Sequence, residues 1–174
     1  MSETSKLEGI SMPRRVKHNF TQSINGTPQQ VFPLLCPVRE TDWIPGWATD
    51  WVISNSGLAE RDCIFQTPSR PGAEGAASIW VITHHDADAF ELEMIKVTPA
   101  FTVGKLQVSL CAQGKAATNV TIAYEFTSLG PLGDKYLEGF TAQWYEEFMK
   151  VWEGQMNYYL ETGEVSPDPD LQSA

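Results

Sequence analysis

Cysteines and positive charges are scarce in this sequence. The three cysteines, Cys36, Cys63 and Cys111, lie too far apart for a metal-ligand motif or a disulfide framework, so we expect reduced thiols. Twelve lysines and arginines stand against 22 aspartates and glutamates, which gives a net charge of −10. This acidity argues against nucleic-acid binding, which relies on clustered Lys and Arg, and disfavours docking on anionic membranes.

Long apolar segments are missing as well. No apolar run approaches the roughly 20 residues that a membrane-spanning helix needs. The first 15 residues also lack the apolar core of a secretory signal peptide. We therefore expect a cytoplasmic protein that is not inserted in a membrane.

Common catalytic and phosphate-binding motifs do not occur. The sequence contains no GxSxG, HExxH or CxxC motif. The glycine-rich residues 70–75 lack the GxxxxGK[ST] pattern, and no helical pattern follows them. We interpret residues 68–76 as a flexible entrance loop, and we predict neither a metal site nor a cofactor.

The composition is that of an ordinary soluble domain. The chain has 174 residues, of which 42% are hydrophobic and 20% charged, enough for one domain with a substantial core. We predict a single domain over residues 14–162, with flexible tails at 1–13 and 164–174.

A long C-terminal helix is predicted over residues 132–161. Apolar side chains recur there at helical spacing, whereas charged residues fill most of the other side, and Gly163 follows as a helix stop. The apolar stripe consists of Leu137, Phe140, Trp144, Phe148, Val151 or Trp152, and Tyr159. A helix of this length, about 40 Å, needs a wide apolar surface to lie on.

The preceding chain is predicted to supply that surface as a sheet. A strand from Arg15 ends at Asn25-Gly26, and two short helices follow, one opened by Thr27-Pro28 and one over 38–43. Six strands come next, at residues 50–55, 62–67, 77–84, 90–97, 101–112 and 117–129. The last alternates apolar and polar residues, which is typical of an antiparallel sheet with one solvated face. We therefore predict an α+β fold in which a curved antiparallel sheet wraps around the C-terminal helix.

Residues 26–35, GTPQQVFPLL, resemble the opening of the first helix in START-like (SRPBCC) proteins of the polyketide cyclase/dehydrase branch. Residues 37–40 and 42–47 are similar to the Glu- and Trp-rich second helix of that branch. The resemblance implies the helix-grip fold, with a hydrophobic cavity between the sheet's concave face and the C-terminal helix. Members hold lipids, steroids, polyketides or plant hormones there. No single catalytic signature defines the superfamily.

Two tryptophans and a charged pair form the first candidate site. Trp43 and Trp47 could stack on a ligand at the cavity mouth, with Arg39 and Glu40 orienting a polar group. The alternative is that both indoles anchor the short helices to the sheet and that the charged pair is solvated.

Histidines and carboxylates at residues 84–88 form the second candidate site. His84, His85, Asp86 and Asp88 suggest a metal site or an acid/base pair, or an inward-facing His84. The alternative is a hairpin turn at 85–88, where Asp is favoured for turn geometry.

The third candidate site is the aromatic set Tyr124, Trp144, Tyr145 and Phe148. An inward Tyr124 would face the long helix, and its hydroxyl would need a partner or a ligand. The alternative is plain core packing.

Three functions remain open at this point. The first is binding of an apolar or aromatic small molecule, with lining residues Trp43, Trp47, Tyr124, Phe140, Trp144 and Phe148. The second is a cyclase- or dehydrase-type enzyme, with Glu40, His84 and Tyr124 as candidate catalytic residues. The third is a protein-interaction module, which would expose an apolar patch. A homodimer is retained as an alternative to a monomer.

Overall fold

A long sheet and three helices make up the described chain. The computed structural model describes residues 14–69, 73 and 75–167. The predicted tail at 1–13, residues 168–174 of the predicted tail at 164–174, and part of the loop at 68–76 lie outside them. The helices are α1 (Pro28–Val31), α2 (Pro131–Gly139) and α3 (Ala142–Thr162), with 3-10 helices at Phe32–Leu35 and Arg39–Asp42. The strands are β1 (Arg15–Ile24), β2 (Trp51–Ile53), β3 (Ile64–Thr67), β4 (Ser78–Asp86), β5 (Glu91–Thr98), β6 (Thr102–Gln113) and β7 (Ala117–Ser128).

The strands of the described residues form one antiparallel sheet in the order β1-β7-β6-β5-β4-β3-β2. Alternation along β7 buries Val120, Ile122, Tyr124 and Phe126 on the concave face, while the residues between them face the convex side. α3 packs against that concave face, and the predicted helix-grip architecture is confirmed. No helix of the described residues is long and apolar enough to cross a membrane.

Polar side chains tie α3 to the sheet. The Tyr145 hydroxyl donates to the carbonyl of Ile122 at 2.9 Å, and the Gln22 amide donates to the carbonyl of Met149 at 2.7 Å. Both bonds are buried, where an unpaired polar group is costly. Glu153 accepts a hydrogen bond at 2.6 Å from the backbone N–H of Ser23, which lies on the free edge of β1.

The prediction of one unbroken helix over 132–161 is wrong, because the chain leaves the helix at Phe140. Phe140 has ψ 65°, and the extended Thr141 is the N-cap of α3, accepting a hydrogen bond from the Trp144 N–H at 3.2 Å. His18 on β1 donates from Nε2 to the Phe140 carbonyl at 2.9 Å, which satisfies a group that the break leaves free. After the break, the side of α3 that faces the sheet differs from the predicted apolar stripe. Tyr145, Met149 and Met156 are buried, and Trp144 is only half-buried.

The hairpin turn predicted at residues 85–88 is present but lies two residues later, at 87–90, because β4 continues through Asp86. Its pairing with β5 shifts at Thr83, since Ile82 pairs with Met94 and His84 with Glu93. A β-bulge of this kind inserts one residue and changes which face the following side chains occupy.

The predicted short helices are present as four-residue segments of α- or 3-10 helix. α1 has four residues, a capping box between Thr27 and Gln30, and a proline at its start. Pro33 lies in the first turn of the 3-10 helix that follows directly. Proline is tolerated there because a backbone N–H at the start of a helix has no partner within the helix. Beyond α3, Ser166 is buried although it lies in the predicted flexible tail.

Trp43 and Trp152 form a matched pair for testing the core. Both are buried, and their rings meet edge to face with centroids 5.7 Å apart. The Trp43 indole N–H donates to the Leu34 carbonyl at 2.8 Å, whereas the Trp152 indole N–H has no hydrogen-bond partner among the described residues. We expect Trp43→Phe to lower the free energy of unfolding by about 1–2 kcal/mol more than Trp152→Phe. Urea denaturation measures the difference, and equal losses would contradict it.

Gly133 and Gly154 allow a second matched test. A Cβ on Gly133 would lie 2.0 Å from the Phe101 carbonyl oxygen, whereas one on Gly154 in α3 would meet nothing within 4 Å. We expect Gly133→Ala to cost about 1–3 kcal/mol through overpacking, and Gly154→Ala to add about 0.5–1 kcal/mol through helix propensity. Thermal unfolding of both variants checks the two signs, and a stabilised Gly133→Ala would show that α2 does not lie this close to the turn at Phe101.

Candidate functional site

An apolar groove with a volume of about 500 Å³ lies along α2. Its walls are Phe101, Leu132, Lys135, Tyr136, Gly139, Phe140 and Trp144. The helix break at Phe140 separates α2 from α3, so that side chains of both helices reach the same groove. Lys135 is exposed and contributes the charge in this lining.

A small inner pocket of about 30 Å³ lies next to the groove, under α2. It is lined by Ala73, Ser78, Lys96, Thr98, Phe101, Thr102, Phe126 and Tyr136. Phe101 and Tyr136 belong to both cavities, and their ring centroids are 5.2 Å apart. This ring pair therefore forms the wall between the apolar groove and the inner pocket.

Small hydroxyl side chains cross the concave face at this end of the sheet, and we call them the hydroxyl row. They are neighbours in the strand register from β7 to β3 and are all buried: Ser128, Thr102, Thr98, Ser78 and Thr67. The Ser78 and Thr98 hydroxyls are 2.8 Å apart, and the Trp80 N–H donates to Thr67 Oγ1 at 3.1 Å. Ser128 donates to Asp134 on α2 at 2.5 Å. One end of the concave face is thus polar.

Lys96 lies on the concave face one row further into the sheet. It pairs with Trp80 on β4 and Gly104 on β6, and its Nζ is 5.0 Å from the centroid of the Trp80 ring, a cation–π distance. A Cβ on Gly104 would lie 2.6 Å from the Phe126 ring. The glycine therefore leaves room for Phe126 and Lys96 on either side.

Aromatic rings fill the middle of the concave face. The Phe140 ring lies 5.1 Å from Phe126 and 5.6 Å from Tyr145, and Tyr124 stacks on Phe126 at 5.3 Å. Burial raises the pKa of the Tyr145 hydroxyl, so this group stays protonated and donates to the sheet. Phe148 stacks on Trp144 at 5.2 Å.

The six predicted ligand-binding residues fall into three places. Phe140 and Trp144 line the groove. Tyr124 and Phe148 lie in the aromatic core behind it. Trp43 and Trp47 lie elsewhere, where their indoles donate to the Leu34 and Pro37 carbonyls at 2.8 Å each and hold the 3-10 segments.

The candidate catalytic residues are spread apart. The expectation that His84 faces inward is wrong: the bulge at Thr83 places it on the convex face, 3.6 Å from Glu91. Tyr124 lies on the opposite face of the sheet, so these two side chains do not converge. Glu40 is buried in the second 3-10 helix.

His85 takes the inward position instead. Its ring contacts Phe32 at 5.2 Å, and burial, followed by the neighbouring His84, lowers the pKa of His85. Over the residues the structure describes, no group of three His, Cys, Asp or Glu side chains is placed to hold a metal ion.

Sequence reasoning missed Lys96 and the hydroxyl row. A signal for the row was present, because Thr67, Thr98 and Ser128 each end a strand and Ser78 and Thr102 each begin one. In consecutive antiparallel strands, such ends meet at one edge of the sheet. Lys96 gave no signal, since a lysine within a strand ordinarily faces solvent.

Several solved structures are similar to this chain. Norcoclaurine synthase from Thalictrum flavum has a TM-score of 0.63 at 10% identity, over 86% of this chain and 88% of that chain. Its complex with dopamine and hydroxybenzaldehyde has a TM-score of 0.60 at 12% identity, over 86% and 89%. SA2116 from Staphylococcus aureus, of unknown function, has a TM-score of 0.61 at 11% identity, over 87% of this chain and 97% of that chain. Ara h 8.0201 has a TM-score of 0.59 at 11% identity, over 86% of this chain and 99% of that chain.

Sequence comparison gives no relative. No protein-family model matches the chain, and no curated protein matches it significantly. Structural likeness at this level of identity shows the fold and carries no function with it. The order of elements, the seven-stranded antiparallel sheet and these neighbours agree, and the chain has the helix-grip fold that its resemblance to START-like (SRPBCC) proteins implied.

Proposed function

We propose that this protein binds a small aromatic or apolar molecule in the groove along α2. The groove's volume of about 500 Å³ lies within the range of roughly 300–1,000 Å³ of small-molecule sites. Phe101, Tyr136, Phe140 and Trp144 offer ring faces to a ligand, and stacking on such rings favours flat aromatic compounds. The aromatic lining is the observation that carries the proposal.

The structural neighbours support this proposal at the level of ligand class. Norcoclaurine synthase has been seen with dopamine and hydroxybenzaldehyde, which are both small aromatic compounds. The predicted cytoplasmic location belongs to the proposal, as does binding without a metal or a cofactor. The enzymatic alternative has less support, because His84 is on the other face of the sheet from Tyr124.

A second candidate function, self-association as a homodimer, is favoured by the convex face of the sheet. An apolar row of register neighbours lies there: Ile53, Ile64, Val81 and Ile95. Because the chain has a net charge of −10, two copies repel each other least where they meet through uncharged side chains. A second row runs beside the first; it is apolar at Trp51, Ile79 and Val97 and interrupted by Gln66. Ile79 is 40% exposed and Ile53 is 62% exposed. Strands spaced about 4.8 Å apart make this face roughly 15–20 Å wide.

Binding of a neutral dye tests the first proposal. We expect N-phenyl-1-naphthylamine to bind saturably with enhanced emission, and Trp144→Ala to weaken binding about 10-fold, since losing some 50 Å² of apolar contact costs about 1.3 kcal/mol. Trp51→Ala is the matched control, because Trp51 is a half-exposed indole on β2, on the convex face. Unsaturable binding, or equal effects of the two variants, would reject the groove as the site.

Sedimentation equilibrium tests the second proposal. We expect a concentration-dependent dimer that Ile53→Lys shifts to monomer, since a charge buried in an apolar interface is unfavourable. Thr121→Lys, on the convex side of β7 and away from both apolar rows, should leave the dimer intact. A monomer at every concentration would refute self-association.

A further inference from the structure

We infer that the groove along α2 takes an elongated ligand of about three fused aromatic rings, and that Gly139 allows this length by leaving the middle of the groove open. This inference rests on the proposed function, because it concerns the shape of the ligand in the same groove. It adds to that proposal a ligand length and one residue that selects for it.

The volume of the groove exceeds what a single ring needs. An apolar cavity of about 150 Å³ in another protein holds one benzene molecule, whereas this groove has a volume of about 500 Å³. A ligand with one ring would therefore leave much of the aromatic lining in contact with water. Because binding gains from each area of apolar surface removed from water, the groove favours a ligand that fills more of its length.

Three rings of the lining follow one another along the groove. Tyr136, Phe140 and Trp144 are spaced four residues apart, and the centroid of the Phe140 ring lies 6.2 Å from that of Tyr136 and 5.8 Å from that of Trp144. The planes of the Tyr136 and Phe140 rings differ by 19°. A flat ligand that lies lengthwise contacts more than one of these rings at once, and each such contact is favourable.

Gly139 interrupts the side chains of this wall. Residues three and four apart share one face of a helix, which places Gly139 on the same face of α2 as Leu132, Lys135 and Tyr136, all of which line the groove. The backbone does not demand glycine there, because Gly139 is not among the residues with positive φ. A Cβ at this position would meet no described residue within 4 Å. A large side chain would enter this open space and separate the Tyr136 end of the groove from the Trp144 end.

Three phenols of increasing length test the inference. Phenol, 2-naphthol and 2-hydroxyanthracene carry the same hydroxyl group on one, two and three fused rings. We expect the affinity to rise about 5-fold with each added ring, which is the gain for burying on the order of 40 Å² of apolar surface. Equilibrium dialysis gives the dissociation constant of each compound without a competing dye.

Substitution of Gly139 separates this groove from unspecific apolar binding. We expect Gly139→Leu to weaken 2-hydroxyanthracene at least 10-fold and to leave phenol within about threefold, because the leucine removes the space for the added rings. Gly154→Leu is the matched control: a Cβ on Gly154 also meets nothing within 4 Å, but this residue lies outside the described lining of the groove. This control should keep the whole series unchanged.

A smaller substitution serves where Gly139→Leu does not fold. Gly139→Ala adds one methyl group at the same point and improves helix propensity. We expect it to weaken 2-hydroxyanthracene about 2- to 3-fold, while phenol keeps its affinity.

The outcomes separate this inference from the proposed function. Equal affinities for the three phenols, with N-phenyl-1-naphthylamine still bound, would overturn the inference alone. A rise in affinity that both Gly139 variants leave intact, or equal losses in Gly139→Leu and Gly154→Leu, would overturn it too, because the ligand would then not lie across the middle of the groove. Absence of binding by the dye and by all three phenols would overturn the proposed function and this inference with it.

Discussion

The packing of Phe140 is the interaction on which the site depends. Its ring lies against Phe126 of the sheet and Tyr145 of α3, and burying a side chain of this size contributes about 1.5–3 kcal/mol. To reach that position, the chain leaves helical geometry after Gly139, and His18 satisfies the carbonyl that the break frees. The two helix segments then present their side chains to one groove, which an unbroken helix would not form in this way.

The concave face has two chemically different regions. Its middle is filled by rings, whereas the end under α2 is lined by hydroxyl groups and Lys96. Gly133 lets α2 approach the Phe101 carbonyl closely, and this approach brings Tyr136 against Phe101. The same contact therefore closes the core and separates the apolar groove from the polar pocket.

Shared architecture says little about which chemistry this protein performs. Its structural neighbours include a plant enzyme and a protein of unknown function, each at 10–12% identity. A fold of this kind hosts binders and enzymes alike, so function depends on individual side chains. Here the aromatic residues of the groove, among them Phe101, Tyr136 and Trp144, come from a turn and two helices and not from a local motif.

The sequence by itself determined the class of fold and most of the elements. Alternation in β7, the helical spacing of Phe140 and Phe148, and the opening at Thr27-Pro28 are local patterns, and local patterns predict local structure. Only the tertiary structure decided the break at Phe140, the outward turn of His84 and the gathering of Lys96 with the hydroxyl row. The break follows from packing against Phe126, and the turn from a bulge visible only in the pairing with β5. The gathering of Lys96 with the hydroxyl row depends on strand register, which joins residues distant in sequence and is fixed by the whole sheet.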